Sequence, residues 1–241
     1  MPRSRDPNLV RLEEFAGRAA ALLPEVTLVG GCTAGLLITD PGAASVRATF
    51  DVDLVIEAVT YGQYQAFCDK LKALGFSECT DPDAPLCRWA HGALRVDVMT
   101  VGDGVLGPVN RWYASALRSR AATRLPSGAV IHHIDAPHFV ATKLEAFLGR
   151  GGTDYVLSHD LEDIARVLDG RSGIEEEIGR SPRELRSFVG HELSKCLADR
   201  FFLEAMPGYF PGVEEGIARS RLLEQRMRAI VREFAPEPGD E

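Results

Sequence analysis

Two aspartates one residue apart mark the most chemically informative stretch of this 241-residue chain. In Asp51-Val52-Asp53-Leu54-Val55-Ile56, acidic and apolar side chains alternate at the outset, which is the period of a β-strand. Residues two apart on a strand face the same way. Both carboxylates therefore emerge side by side, while Val52, Leu54 and Ile56 turn toward a core. Like charges this close raise one another's pKa unless something compensates. A divalent cation is the natural compensation. Mg²⁺ (or Mn²⁺) takes hard oxygen ligands and keeps positions for water and phosphate oxygens. A second alternating run, Arg95-Val96-Asp97-Val98-Met99, carries one more acid. Laid beside the first strand, it completes a three-carboxylate cluster able to hold two metal ions. Such a cluster activates an attacking oxygen and stabilises a leaving one in phosphoryl or nucleotidyl transfer.

A glycine pair supplies a second half to this chemistry. The apolar run 26–29 stops at Gly30-Gly31, where a backbone without Cβ atoms can come close to a ligand. A helix starting just beyond would present free N–H groups to phosphate, and Thr33 would add a hydroxyl. Arg47 and Thr49 stand just ahead of the paired acids. Arg47 reads equally as a phosphate contact, a counter-charge to the acids or a solvated loop residue.

Gly30-Gly31-Cys32-Thr33, then Arg47-x-Thr49-x-Asp51-Val52-Asp53-Leu54, then Asp97, resemble the DNA polymerase β-type nucleotidyltransferase superfamily. The closer likeness is to its minimal branch, the AbiEii/MenT-type toxin nucleotidyltransferases of bacterial toxin–antitoxin and phage-defence systems. That branch tends to carry a lysine-bearing helix and then an Asp-x-x-Asp helix, matched here by Lys143-x-x-Ala146-x-x-x-Arg150 and Asp160-x-x-Asp163. The resemblance spans roughly residues 25 to 168. Many members have Gly-Ser where this chain has Gly31-Cys32, and the interval from Gly31 to Asp51 is longer than the superfamily's usual loop.

The resemblance implies a polymerase-β-like fold and a Mg²⁺-dependent transfer of NMP from an NTP to an acceptor hydroxyl. Asp51, Asp53 and Asp97 would be the metal ligands and catalytic residues. Gly30, Gly31, Thr33, Arg47, Thr49, Lys143 and Asp160 would bind the nucleotide. A tRNA 3′ end or a protein side chain heads the list of acceptors, with a small molecule such as an aminoglycoside after them, and an antitoxin is the implied partner. The alternative from another class is a non-catalytic relative that binds a nucleotide or a partner through the acidic face. Asp160 and Asp163 have a plain reading too, since acids favour the first turn of a helix by ~0.3–1 kcal/mol each.

Composition sets bounds. With 45% hydrophobic and 26% charged residues the chain reads as an ordinary globular protein, large enough for one sizeable core or two modest domains. Neither a membrane span nor a secretion signal is legible, so a cytoplasmic location without membrane association is expected. Five scattered cysteines fit a reducing compartment. Cys79, Cys87 and His91 match no zinc module and read as ordinary side chains. The net charge of −8 argues against a general nucleic-acid coat, yet Arg88, Arg95, Arg111, Arg118, Arg120 and Arg124 crowd one stretch against Asp97 and Asp103.

The remaining elements follow from pattern. Residues 8–23 carry apolar side chains at three-four spacing, a helix ending at Pro24. Residues 33–38 form a short helix before Asp40-Pro41-Gly42. A helix over 61–74, ended by Gly75, follows the acidic strand. Short strands over 76–79 and 86–91 precede a tight link at Gly92, and a hairpin delivers Asp97. Residues 110–117 are weakly helical, with Trp112 and Tyr113 either stacking surfaces for a base or packing residues. A strand over 129–134 leads into a helix from Asp135-Ala136-Pro137 to Leu148. Lys143 lies on it, either as a snorkelling surface charge or as a phosphate neutraliser. Residues 160–168 are helical. His132, His133 and His159 read as structural or solvated. The tail predicts one helix from Ser181-Pro182 to about Phe202, a rigid turn, and a last helix over 213–234. The expected architecture is α+β: a short mixed sheet flanked by helices in a catalytic domain of residues 1–170, then a helical module of 171–241.

Overall fold

The computed structural model describes residues 6–235. The protein is α+β, with a seven-stranded mixed sheet flanked by helices and a C-terminal helical region. By its internal contacts the chain forms two units. Among the described residues, one comprises 6–36 and 47–135; the other comprises 37–46 and 136–235. Helices expected to belong with the sheet, those of residues 136–170, thus fall with the C-terminal helices.

The sheet unit contains β1 (Val26–Val29), β2 (Asp51–Ile56), β3 (Ser77–Glu78), β4 (Arg88–His91), β5 (Leu94–Thr100), β6 (Ala121–Arg124) and β7 (Val130–His133). They lie in the order β3-β4-β5-β2-β1-β7-β6. The central pair, β2 and β5, is parallel, and β1 runs antiparallel to β2. One face of the sheet is the core. Val52, Leu54, Ile56, Val96 and Val98 pack there with Leu12 and Phe15 from helix α1 (Leu9–Arg18), and with Phe67 and Leu71 from a later helix. The alternation read in the acidic strand is therefore the physical division of the sheet into a dry face and a chemical face.

Local signals account for most boundaries. The first helix stops at Arg18 and continues as a 3₁₀ turn, Ala20–Glu25, with Pro24 inside it rather than at its end. The short helix after the glycine pair is a 3₁₀ turn over Gly31–Thr33 followed by α2 (Ala34–Leu37). Helix α3 (Tyr61–Ala73) begins with a reciprocal cap. The Thr60 hydroxyl accepts from the Gln63 N–H, and the Gln63 side chain accepts from the Thr60 N–H. Helix α4 (Tyr113–Ser119) starts three residues later than expected, and Trp112 ahead of it is buried, the packing reading of that residue. Strand β6, which the pattern did not announce, pairs antiparallel with β7.

In the helical unit, α5 (Ala136–Gly149) is buried along most of its length. Helix α6 (His159–Gly170) is capped by Ser158, whose hydroxyl accepts from the Leu161 N–H. Next comes α7 (Ile174–Arg180), an additional short helix. The single tail helix expected over 182–202 is instead two, α8 (Arg183–Ala198) and α9 (Arg200–Ala205). They part at Asp199, whose carboxylate caps the second by accepting from the Phe201 N–H. Pro182 stands at the cap rather than inside the helix. Helix α10 (Val213–Phe234) closes the described chain. Its Arg226 donates to the Leu168, Asp169 and Arg171 carbonyls, and with the Thr39 and Asp40 N–H groups on the Gly170 carbonyl it satisfies the C-terminal end of α6. No helix among the described residues is long and apolar enough to cross a membrane.

Candidate active site

The chemical face of the sheet centres on the β2–β5 pair. Their parallel register places Asp53 beside Asp97 and Asp51 beside Arg95. Asp51, Asp53 and Asp97 each offer a carboxylate oxygen, and these oxygens all lie within 4.8 Å of one another. Among the described residues this is the one grouping of three or more metal-ligating side chains, so Cys79, Cys87 and His91 form none. The cluster is graded in exposure: Asp97 is buried, whereas Asp51 and Asp53 are half-buried. Three hard oxygen donors that converge and still reach solvent match the donor set of a hydrated Mg²⁺ or Mn²⁺ ion.

Strand β1 brings the glycine turn to the same place. Val29 pairs with Asp53, and Gly30 follows with φ at +68°, a conformation that side chains resist. A Cβ on Gly30 would overlap the Asp53 carboxylate, so glycine is required here for close approach as well as for backbone shape. Thr33 is fully buried and its hydroxyl donates to the Gly30 carbonyl at 2.9 Å, tightening the turn from within. What this turn offers outward is backbone.

Thr49 is a tie rather than an open donor in this structure. Its N–H donates to Asn8 Oδ1 at 2.8 Å, and Asn8 Nδ2 donates to the Arg47 carbonyl, fastening the chain ahead of β2 to α1. Arg47 is half-buried there, with Nη1 near the Ala48 carbonyl.

The sequence shows Arg88 only as part of a basic stretch. In the structure it sits inside the acidic cluster. Its Nε donates to Asp97 Oδ1 and its Nη2 to both Asp97 Oδ2 and Asp51 Oδ2, all at 2.7 Å. The Asp97 hydrogen bonds, reinforced by the charges of Asp97 and Asp51, hold the guanidinium pKa well above its ordinary value. A signal for this contact did exist. Folding the hairpin about Gly92-Ala93 pairs His91 with Leu94, and counting back places Arg88 directly opposite Asp97. Residues directly opposite on an antiparallel pair share a face.

A cavity of about 290 Å³ opens on the same unit, lined by Leu86, Cys87, Met99, Pro108, Asn110 and Tyr113 among others. Met99 is two residues beyond Asp97 on β5, so the cavity borders the chemical face on the side away from β1. Burial, with the Asp97 charge adding to it, pushes the Cys87 thiol up to about 11. It is therefore an uncharged wall at neutral pH.

The remaining expected residues lie in the helical unit. Lys143 Nζ on α5 is 3.0 Å from Asp160 Oδ1 and 2.7 Å from Asp163 Oδ2 on α6, and Arg150 also pairs with Asp160. Lys143 and Asp160 are thus brought together, with Asp163 as a further partner. His133 is buried and bonded to Thr123 and the Ile134 carbonyl, in keeping with a structural role.

No protein-family model and no curated protein matches this chain.

Proposed function

We propose that the protein is a divalent-cation-dependent nucleotidyltransferase of the polymerase-β type, moving an NMP from an NTP to an acceptor hydroxyl. The observation that carries this reading is the convergence of Asp51, Asp53 and Asp97 beside the Gly30 turn. Cations held by the three aspartates would offset triphosphate charge and polarise the α-phosphate. The chain's own residues do the rest by position. The Gly30-Gly31 backbone faces the β- and γ-phosphates from the β1 side. The acceptor approaches from the β5 side, where the cavity lies. Asp97 takes the proton of its hydroxyl as the oxygen bonds to the α-phosphorus and pyrophosphate departs on the opposite side. Catalysis then consists of alignment and charge placement, which a small cluster supplies. The acceptor class, a tRNA end, a protein side chain or a small molecule, and an antitoxin partner remain expectations carried by resemblance.

A second reading has one observation in its favour. Arg88 already satisfies two of the three acids, as it would in a binding module that has no use for a cation. Titration calorimetry with each of the four NTPs, with and without Mg²⁺, separates the two. Magnesium-dependent binding of an NTP, lost in the Asp51→Ala/Asp53→Ala variant, is the expected result. Nucleotide binding indifferent to both Mg²⁺ and the double substitution would overturn the enzyme reading.

A further inference from the structure

We propose that Arg88 is an exchangeable counter-ion that a divalent cation must displace, so that it sets the cation affinity of the acidic cluster. The guanidinium engages both oxygens of Asp97 and one of Asp51, and its Nη2 is 2.7 Å from an oxygen of each carboxylate. These are the oxygens a cation joining the two residues would take as ligands. Two positive centres cannot share them without strong repulsion. Arg88 therefore holds the acids together when no cation is bound and leaves when one arrives.

The fold allows that departure. Arg88 is the first residue of β4, reached from the exposed turn at 81–86, and its side chain retains 24% of its accessibility. Rotation about its own χ angles frees it without disturbing the β4–β5 ladder, because the neighbouring Trp89 and Val96 hold that pair from the dry face. A released guanidinium at this position is a fork-shaped donor beside the cation and suits phosphate oxygens. Polyphosphate binding then stabilises the released form, and cation and polyphosphate favour each other's binding.

The inference rests on the nucleotidyltransferase reading only in that a cation binds the three aspartates. Arg95 is the internal control. It neighbours the cluster through its pairing with Asp51 on β2, but its guanidinium donates to the Gly92 carbonyl instead. The test is Mn²⁺ titration of the full chain, followed by the electron paramagnetic resonance signal of free Mn²⁺, on wild type, Arg88→Ala, Arg95→Ala and Asp53→Asn. Arg88→Ala should bind Mn²⁺ about tenfold more tightly or better, while Arg95→Ala changes affinity by about threefold or less. Should uncompensated carboxylates keep Arg88→Ala from folding, Arg88→Gln removes the charge at nearly the same shape. Equal gains from Arg88 and Arg95 substitutions would reduce the effect to net charge and overturn the proposal. So would Arg88 variants that bind Mn²⁺ no better than a wild type whose binding Asp53→Asn abolishes, with the enzyme reading left standing. Absence of Mn²⁺ binding in wild type and Arg88 variants alike would overturn the cation site itself.

Discussion

Arg88 and Lys143 are each gripped by two aspartates at hydrogen-bonding distance, and the environments of the two grips differ. Lys143, Asp160 and Asp163 keep only 12%, 7% and 2% of their side-chain accessibility. With Arg150 on Asp160, that cluster matches two acids to two bases. On the sheet, Arg88 and Asp51 remain 24% and 32% accessible, and a third acid, Asp53, stands against the glycine turn. Three of these four charges are largely buried, with Arg150 exposed at the rim, and breaking the buried pairs of Lys143 is costly. A cluster whose acids and bridging base remain partly accessible can accept an ion from solvent. The same residue types thus make a largely buried ion-pair cluster in the helical unit and, on the reading proposed above, an exchangeable site on the sheet.

The contrast can be broken by substitution. The largest effect is expected on function: Asp51→Ala/Asp53→Ala should abolish Mg²⁺-dependent NTP binding in calorimetry and lower transfer activity on the order of 10³-fold. That matches loss of several kcal/mol of charge stabilisation. Its thermal unfolding should change little. Asp163→Ala should do the reverse. It removes one of the two acids that grip Lys143, leaving Asp160, and should cost about 1–3 kcal/mol in urea unfolding. The double variant Lys143→Met/Asp163→Leu should recover much of that loss, and failure to recover would show that the pair itself contributes net stability. Gly30→Ala sits between the two regimes. The positive φ and the overlap with Asp53 should cost about 1–3 kcal/mol and weaken Mn²⁺ binding, because the displaced carboxylate is a proposed ligand. At the small end is Glu176→Ala. It breaks a pair with Arg180 in which both side chains are 74% accessible, and should shift stability by about 0.5 kcal/mol or less.

Period and punctuation explain how much could be read in advance. The β2 alternation, the hairpin link at Gly92 and the last helix over 213–234 rest on neighbours in sequence, and each is found where the pattern put it. The break of the tail helix at Asp199 was legible only as a weak cap signal inside a continuous apolar stripe. Strand β6 has the alternating accessibility of a sheet edge but no apolar run to announce it, and its partner β7 defines it. Residues 37–46 read as the end of the short helix of 33–38 and the start of a loop over 40–48. They fall with the helices because the Thr39 and Asp40 N–H groups donate to the Gly170 carbonyl and Arg219 pairs with Asp40, contacts more than a hundred residues apart.

The sequence by itself determined that Asp51 and Asp53 share a face, because a strand's period is two and Val52 and Leu54 must be buried. It also marked Gly30-Gly31 as a place where the backbone can approach a ligand closely, because neither residue carries a Cβ. Tertiary structure alone decided that β5 lies parallel to β2 with Asp97 level with Asp53, a crossover pairing that no local pattern encodes. It alone decided which charges are buried together. Lys143 is gripped by nearly buried acids and Arg88 bridges more accessible ones, because burial and neighbouring charge, not residue type, fix the environment of a charge.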